Sequence, residues 1–235
     1  MALAREGIRE IAIGTVVLGG LTALAVWLYP WVAVAPVALW VFVIAFFRDP
    51  KRMALFARGE LCAPADGRVR DITRLEHYEP VGGPAIRIGI FLSIFDVHAN
   101  RAPCRSRVVS IDYQKGCFLD ARHEDAGHRN ESNTLVLDPD PPVAGPIVVR
   151  QIAGRIARRI VCHVRAGDDL MQGERFGMIK FGSRTELIVP DRPETDIKAY
   201  VGQPVRAGVT VIVVQRSNLN AGVPRVRHRE AQSAG

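Results

Sequence analysis

The chain has 235 residues, a formal net charge of +7 and 48% apolar residues, room for an apolar segment plus one globular domain with a core of its own. The positive balance favours anionic partners, but the arginines are scattered without interleaved aromatics, which places membrane lipid ahead of nucleic acid. Four cysteines, Cys62, Cys104, Cys117 and Cys162, form no C-x-x-C pair, which argues against a zinc knuckle or redox dithiol and points to free thiols in a reducing compartment.

Residues 11–28 and 32–47 are two uncharged apolar runs separated by Tyr29-Pro30-Trp31. As helices they would extend about 27 and 24 Å, at or below the roughly 30 Å of a hydrocarbon core. Two short spans in a tight hairpin, or a shallow re-entrant anchor, both fit. A signal peptide would have one apolar core and a small-residue cleavage site, so residues 1–55 read as an uncleaved membrane anchor. Arg5 and Arg9 precede it and Arg48, Lys51 and Arg52 follow it, which places both ends, and the domain of residues 56–235, on the cytoplasmic face. Trp27, Tyr29, Trp31 and Trp40 suit the hairpin tip or the headgroup layer.

From residue 60 the texture changes to short apolar runs punctuated by Gly, Pro and Asp, which predicts strands and turns. The expected strands are 67–74, 85–92, 105–113, 133–138, 146–152, 155–164, 176–180, 185–189 and 209–214, with 116–130 helical or irregular. The fold class is therefore α+β and predominantly β, a β-rich domain preceded by a helical hairpin. Segments 164–173 and 201–208 read as tight connections similar to those of biotinyl and lipoyl barrels, although no Met-Lys-Met or Asp-Lys-Ala carrier motif accompanies them.

Three places carry residues suited to chemistry. Gly182-Ser183 joins two expected strands, Asp66 sits in an Ala-Asp-Gly turn, and His98 ends an apolar strand beside Asp96 and Asn100. Each has an ordinary reading by itself: a hairpin Gly-Ser, an aspartate bonding its own turn, a structural histidine. The other histidines lack ligand spacing. His123 and His128, five apart, do not share a helical face, so no metal is expected.

In chain order the sequence also contains Phe46-Phe47-Arg48-Asp49-Pro50, Ala63-Pro64-Ala65-Asp66-Gly67, the run from Phe91 through Asp96-Val97-His98-Ala99-Asn100-Arg101 to Pro103, Gly116-Cys117-Phe118, Asn130-Glu131-Ser132-Asn133 and Phe181-Gly182-Ser183. With these pieces it resembles, over nearly its whole length, the short form of the phosphatidylserine decarboxylase proenzymes. The resemblance implies self-cleavage between Gly182 and Ser183 into a β chain of residues 1–182 and an α chain of 183–235, which remain together as a heterodimer. Ser183 then becomes a covalent pyruvoyl cofactor that forms a Schiff base with the substrate's serine amine. The products are phosphatidylethanolamine and CO2. His98, with Asp66, is implied as the base that starts self-cleavage, and His98 as the proton donor in turnover. Arg101 stands where longer relatives have a second histidine. It stays protonated, so it reads as a holder of substrate phosphate or carboxylate. Three further readings stay open: a decarboxylase of another serine-headed lipid such as an archaeal ether lipid, a non-enzymatic membrane-tethered barrel module, and a peptidase pairing Ser183 with Lys180. Strand alternation weakens the last, because residues three apart face opposite ways.

Overall fold

The computed structural model describes residues 2–116, 130–154, 159–180 and 183–216, and of Ser183 its backbone. The expected helical or irregular segment 116–130 therefore falls almost wholly outside the described residues. So do Gly182, Cys117 and the basic tail.

Two helices form the N-terminal hairpin, α1 (Ile8–Leu28) and α2 (Val34–Phe46). The first is extended by a 3-10 turn at Arg5–Gly7, and this helical stretch, Arg5–Leu28, is long and apolar enough to cross a membrane. Only 6% of its apolar window is buried in the protein, so it is not a core helix. The second apolar helix, Pro30–Phe46 with its leading 3-10 turn, is shorter. Tyr29 breaks the pair apart: it is extended, at φ −148° and ψ 95°, as the residue before a proline prefers. Trp27, Tyr29 and Trp31 cluster at this tip, exposed. Trp40 does not join them. Its indole N–H donates to Thr15 Oγ1 at 3.0 Å and ties α2 to α1 in the shaft.

Among the described residues the β body contains three antiparallel sheets. The largest has eight strands, β2 (Gly67–Tyr78), β3 (Gly83–Leu92), β5 (Ser106–Gln114), β6 (Ser132–Pro139), β7 (Ile147–Ala153), β9 (Asp169–Leu170), β11 (Ser183–Pro190) and β13 (Pro204–Val205), in the order β13-β2-β3-β11-β7-β6-β5-β9. A second sheet orders β1 (Glu60–Cys62), β14 (Val211–Gln215) and β12 (Thr195–Ile197) as β1-β14-β12. The third orders β4 (Ala99–Arg101), β10 (Arg175–Lys180) and β8 (Arg159–Cys162) as β4-β10-β8. Strand alternation builds the core. Ile86, Ile88, Ile90 and Leu92 of β3 face inward with Leu135 and Leu137, Ile147 and Val149, and Leu187 and Val189 from the neighbouring strands. Each fully buried aliphatic side chain contributes roughly 1.5–3 kcal/mol.

The long strands lie close to where the residue pattern places them. The expected strand 155–164 is shorter among the described residues, ending at Cys162, and β1, β4, β9, β12 and β13 are additional. Both expected tight connections are turns, with positive φ at Gly167, Gly173, Gly202 and Gly208.

Candidate active site

β3 ends at Leu92, and a turn of residues 93–96 follows, closed by Asp96. Its carboxylate accepts the Ser93 N–H at 2.8 Å, and burial raises its pKa above the ordinary value. The turn delivers His98, fully buried, to the start of β4. Nδ1 lies 2.9 Å from the Asp96 carbonyl oxygen, an acceptor only. The ring proton therefore belongs on Nδ1, and Nε2 carries the lone pair. Burial pushes the His98 pKa down to about 4, and the Arg48 charge acts in the same direction. The imidazole is thus neutral near pH 7, as a general base must be. The Phe46 ring packs on it with centroids 4.4 Å apart.

Asp66 is positioned by the glycine after it. Gly67 has φ +140°, and a Cβ there would lie 2.0 Å from the Phe91 carbonyl oxygen. The Asp66 carboxylate takes the Arg52 guanidinium on both oxygens, Nη2–Oδ2 being 2.6 Å, and also accepts the Ala207 N–H at 2.8 Å. A backbone carbonyl holds His98 Nδ1, and an arginine holds Asp66. What connects the two is electrostatic, since the Asp66 charge works against the depression of the His98 pKa.

Arg101 is similarly committed. Its Nη2 donates to Asp49 Oδ1 at 2.6 Å and its Nη1 to the Gly173 carbonyl at 3.0 Å, while Arg175 holds the other Asp49 oxygen at 3.1 Å. This fork fastens the chain leaving the hairpin to β4 and β10.

Ser183 is the first residue of β11, between Leu92 of β3 and Ala153 of β7. The bond expected to break therefore lies where the chain passes from the small β4-β10-β8 sheet to the large one. Both sides of this passage are fixed. On the β10 side, the Lys180 ammonium donates to Glu10 Oε1 at 2.6 Å and to the Glu6 carbonyl at 2.9 Å, which removes it as a free base for a serine–lysine peptidase. On the β11 side, Arg184 pairs with Glu186 at 2.8 Å and Asp71 at 3.0 Å. The carbonyl of His98 accepts the Ile179 N–H at 3.2 Å, so the histidine lies alongside the strand that runs into the passage. Among the described residues no group of three or more His, Cys, Asp or Glu could hold a metal ion. Cys62, Cys104 and Cys162 are free, and burial pushes the Cys62 thiol up to about 12.

A family model described as phosphatidylserine decarboxylase matches residues 39–213. The chain belongs to that family. Among its relatives, the phosphatidylserine decarboxylase proenzyme of Rhodopirellula baltica is 43% identical over 213 residues, 88% of this chain and 85% of the relative. That of Syntrophus aciditrophicus is 41% identical over 208 residues, 88% and 94% of the two chains. That of Carboxydothermus hydrogenoformans is 41% identical over 197 residues, 84% and 91%. Membership makes the chain a carboxy-lyase.

Two features of this decarboxylase are not evident from the residue pattern. The first is a buried amide chain: Asn100 Nδ2 donates to Thr185 Oγ1 at 3.0 Å, Gln151 Nε2 to Asn100 Oδ1 at 2.8 Å, and Asn133 Nδ2 to Gln151 Oε1 at 2.9 Å. It ties β4, β11, β7 and β6 together around the start of β11. Gln151, which shares a strand face with the apolar Ile147, Val149 and Ala153 of β7, was the available signal, because a polar residue at a core position needs a partner. The second is the base of the hairpin. Ala4, Phe46, Phe47 and Met178 pack together, so the base of the hairpin lies against the β body and, through Phe46, against His98. Gly7 permits this, since a Cβ there would lie 2.2 Å from Phe47 Cγ.

Proposed function

We propose that the chain is a membrane-anchored proenzyme that cleaves itself between Gly182 and Ser183 and then converts phosphatidylserine to phosphatidylethanolamine and CO2. The observation that carries this reading is the buried, neutral His98, with Nε2 as its basic nitrogen, beside the strand leading to Ser183 and under an aromatic residue of the apolar hairpin.

In the first step Ser183 Oγ attacks the Gly182 carbonyl and displaces the Ser183 nitrogen, converting the amide to an ester. Glycine on the acyl side leaves the approach clear. His98 Nε2 takes the hydroxyl proton, and Asp66 supports the protonated imidazole by its charge from behind Arg52. Loss of the Ser183 α-proton then expels the Gly182 carboxylate, taking the serine oxygen with it. Water converts the remaining dehydroalanine to a pyruvoyl group and ammonia. A pyruvoyl carbonyl at position 183 would condense with the substrate's amine and accept the electron pair freed when CO2 leaves. The chain's own residues then do two things: His98 returns a proton to the substrate's α-carbon, and Phe46 and Phe47 keep water from its pocket. The pairing of β11 with β3 and β7, and of Arg184 with Asp71, joins residues after the cut to residues before it and supports a reading in which the α and β chains remain together. Arg5, Arg9 and Lys51 at the hairpin's base favour the cytoplasmic face.

Denaturing electrophoresis tests the reading. The wild-type protein should give a large and a small fragment, Ser183→Ala a single intact chain, and His98→Ala a chain that is cut more slowly. A wild type that folds and stays intact would contradict self-processing, and normal cutting of His98→Ala would remove the histidine from it.

A further inference from the structure

Arg48 differs from the other partly or fully buried arginines around the site. Arg52 is paired with Asp66, Arg101 with Asp49, Arg175 with Glu6 and Asp49, and Arg184 with Glu186 and Asp71. Arg48 has no carboxylate at ion-pair distance among the described residues. It donates to two backbone carbonyls, Ala45 through Nη1 at 2.8 Å and Phe95 through Nη2. An arginine has five N–H donors, so three are left, on a side chain that is only half-buried. The nearest acidic residue of the adjoining turn, Asp96, has turned its carboxylate to the Ser93 N–H instead.

Its position matters as much as its pairing. The carbonyls of Phe95 and Asp96 are consecutive, and the first binds Arg48 while the second binds His98 Nδ1. One stretch of backbone thus holds the guanidinium and the imidazole next to each other. Arg48 also directly follows Phe47 at the end of α2, where the apolar hairpin gives way to the polar body, and Phe46 just before touches the histidine. Phe95, 69% exposed, lies edge-on to Phe42 of the hairpin with ring centroids 6.0 Å apart. A lipid approaching along α2 passes these two rings, reaches Arg48 with its headgroup, and has the serine end beyond it, towards the histidine.

We infer that Arg48 binds the anionic phosphodiester of the lipid headgroup and so sets the requirement for a phosphorylated serine substrate. The inference rests on the decarboxylase reading above. It moves the anion-holding role from Arg101, whose charge is paired with Asp49, to the arginine whose charge meets no carboxylate among the described residues. A guanidinium suits this task because it meets two phosphate oxygens at once, while its fixed charge does not titrate near neutral pH.

The test compares fully cleaved wild type, Arg48→Gln and Arg48→Lys on phosphatidylserine in mixed detergent micelles. Loss of one charge-assisted contact predicts a KM for Arg48→Gln raised at least about tenfold, with kcat within about threefold of wild type. Arg48→Lys, which restores charge without the fork, should recover part of the loss. The KM of wild type should rise with salt, and that of Arg48→Gln should not. If Arg48→Gln does not accumulate, a raised KM with unchanged kcat in Arg48→Lys supports the assignment equally. An unchanged KM, or a fall in kcat alone in both variants, would overturn the assignment and make Arg48 a support for the Phe95 turn. A wild type that cuts itself but leaves the lipid intact would instead overturn the decarboxylase reading on which the assignment depends.

Discussion

The two ends of the hairpin have similar composition and opposite surroundings. At the tip, Trp27 and Trp31 are 80% and 77% exposed, and along the shaft Gly19 and Gly20 have nothing within 4 Å of a would-be Cβ. At the base, Phe46 and Phe47 are buried against Ala4 and Met178, the Ala4 N–H donates to the Phe47 carbonyl at 2.8 Å, and Glu6 and Glu10 reach Arg175 and Lys180. The contrast separates two roles within one hairpin: its outer part is suited to lipid, and its inner part packs on the β body and on His98.

The largest effect that tests this contrast is expected at Phe46. Phe46→Ala should cost about 3–5 kcal/mol in urea unfolding of the detergent-solubilised protein and slow self-cleavage, because His98 loses the ring packed against it. Trp31→Ala should stay within about 0.5 kcal/mol and cut at the wild-type rate. Equal effects would erase the distinction between base and tip.

Next comes pH. His98 has a folded pKa of about 4 against an ordinary 6.5, so between these values the unfolded chain binds the extra proton. Stability from this group is unaffected above pH 6.5 and falls as pH drops towards 4, by a total of roughly 3 kcal/mol. Urea unfolding at pH 7.5 and 5 should show a smaller acid loss in His98→Gln than in wild type. Identical losses would mean that the histidine is not held neutral by burial. The smallest effect contrasts two glycines. Gly7→Ala should cost about 1–3 kcal/mol through the clash with Phe47, whereas Gly20→Ala should be neutral or slightly stabilising.

The long strands were legible in the sequence because β3 and β11 run long enough to display their alternation. β4 was not: three residues, Ala99–Arg101, show no period. The candidate residues His98, Asp66 and Ser183 stood out by type and by the resemblance of their motifs. Their partners did not, because pairing is a tertiary choice. Nothing local announces that Asp66 takes Arg52 or that Arg101 takes Asp49. The amide chain was half legible, since Gln151 interrupts the apolar face of Ile147, Val149 and Ala153 but its partners Asn100 and Asn133 lie far away in sequence. The role of the hairpin's base was hidden by its composition, because Phe46 and Phe47 continue the apolar run that the membrane reading explains equally well.

If Ser183 becomes the chain's own reactive carbonyl, intact-mass spectrometry of the small fragment will find residues 183–235 lighter by one ammonia than the same fragment beginning with serine, and the fragment will resist N-terminal sequencing. A fragment that begins with a free serine amine, or a folded chain that is never cut, would contradict that conversion.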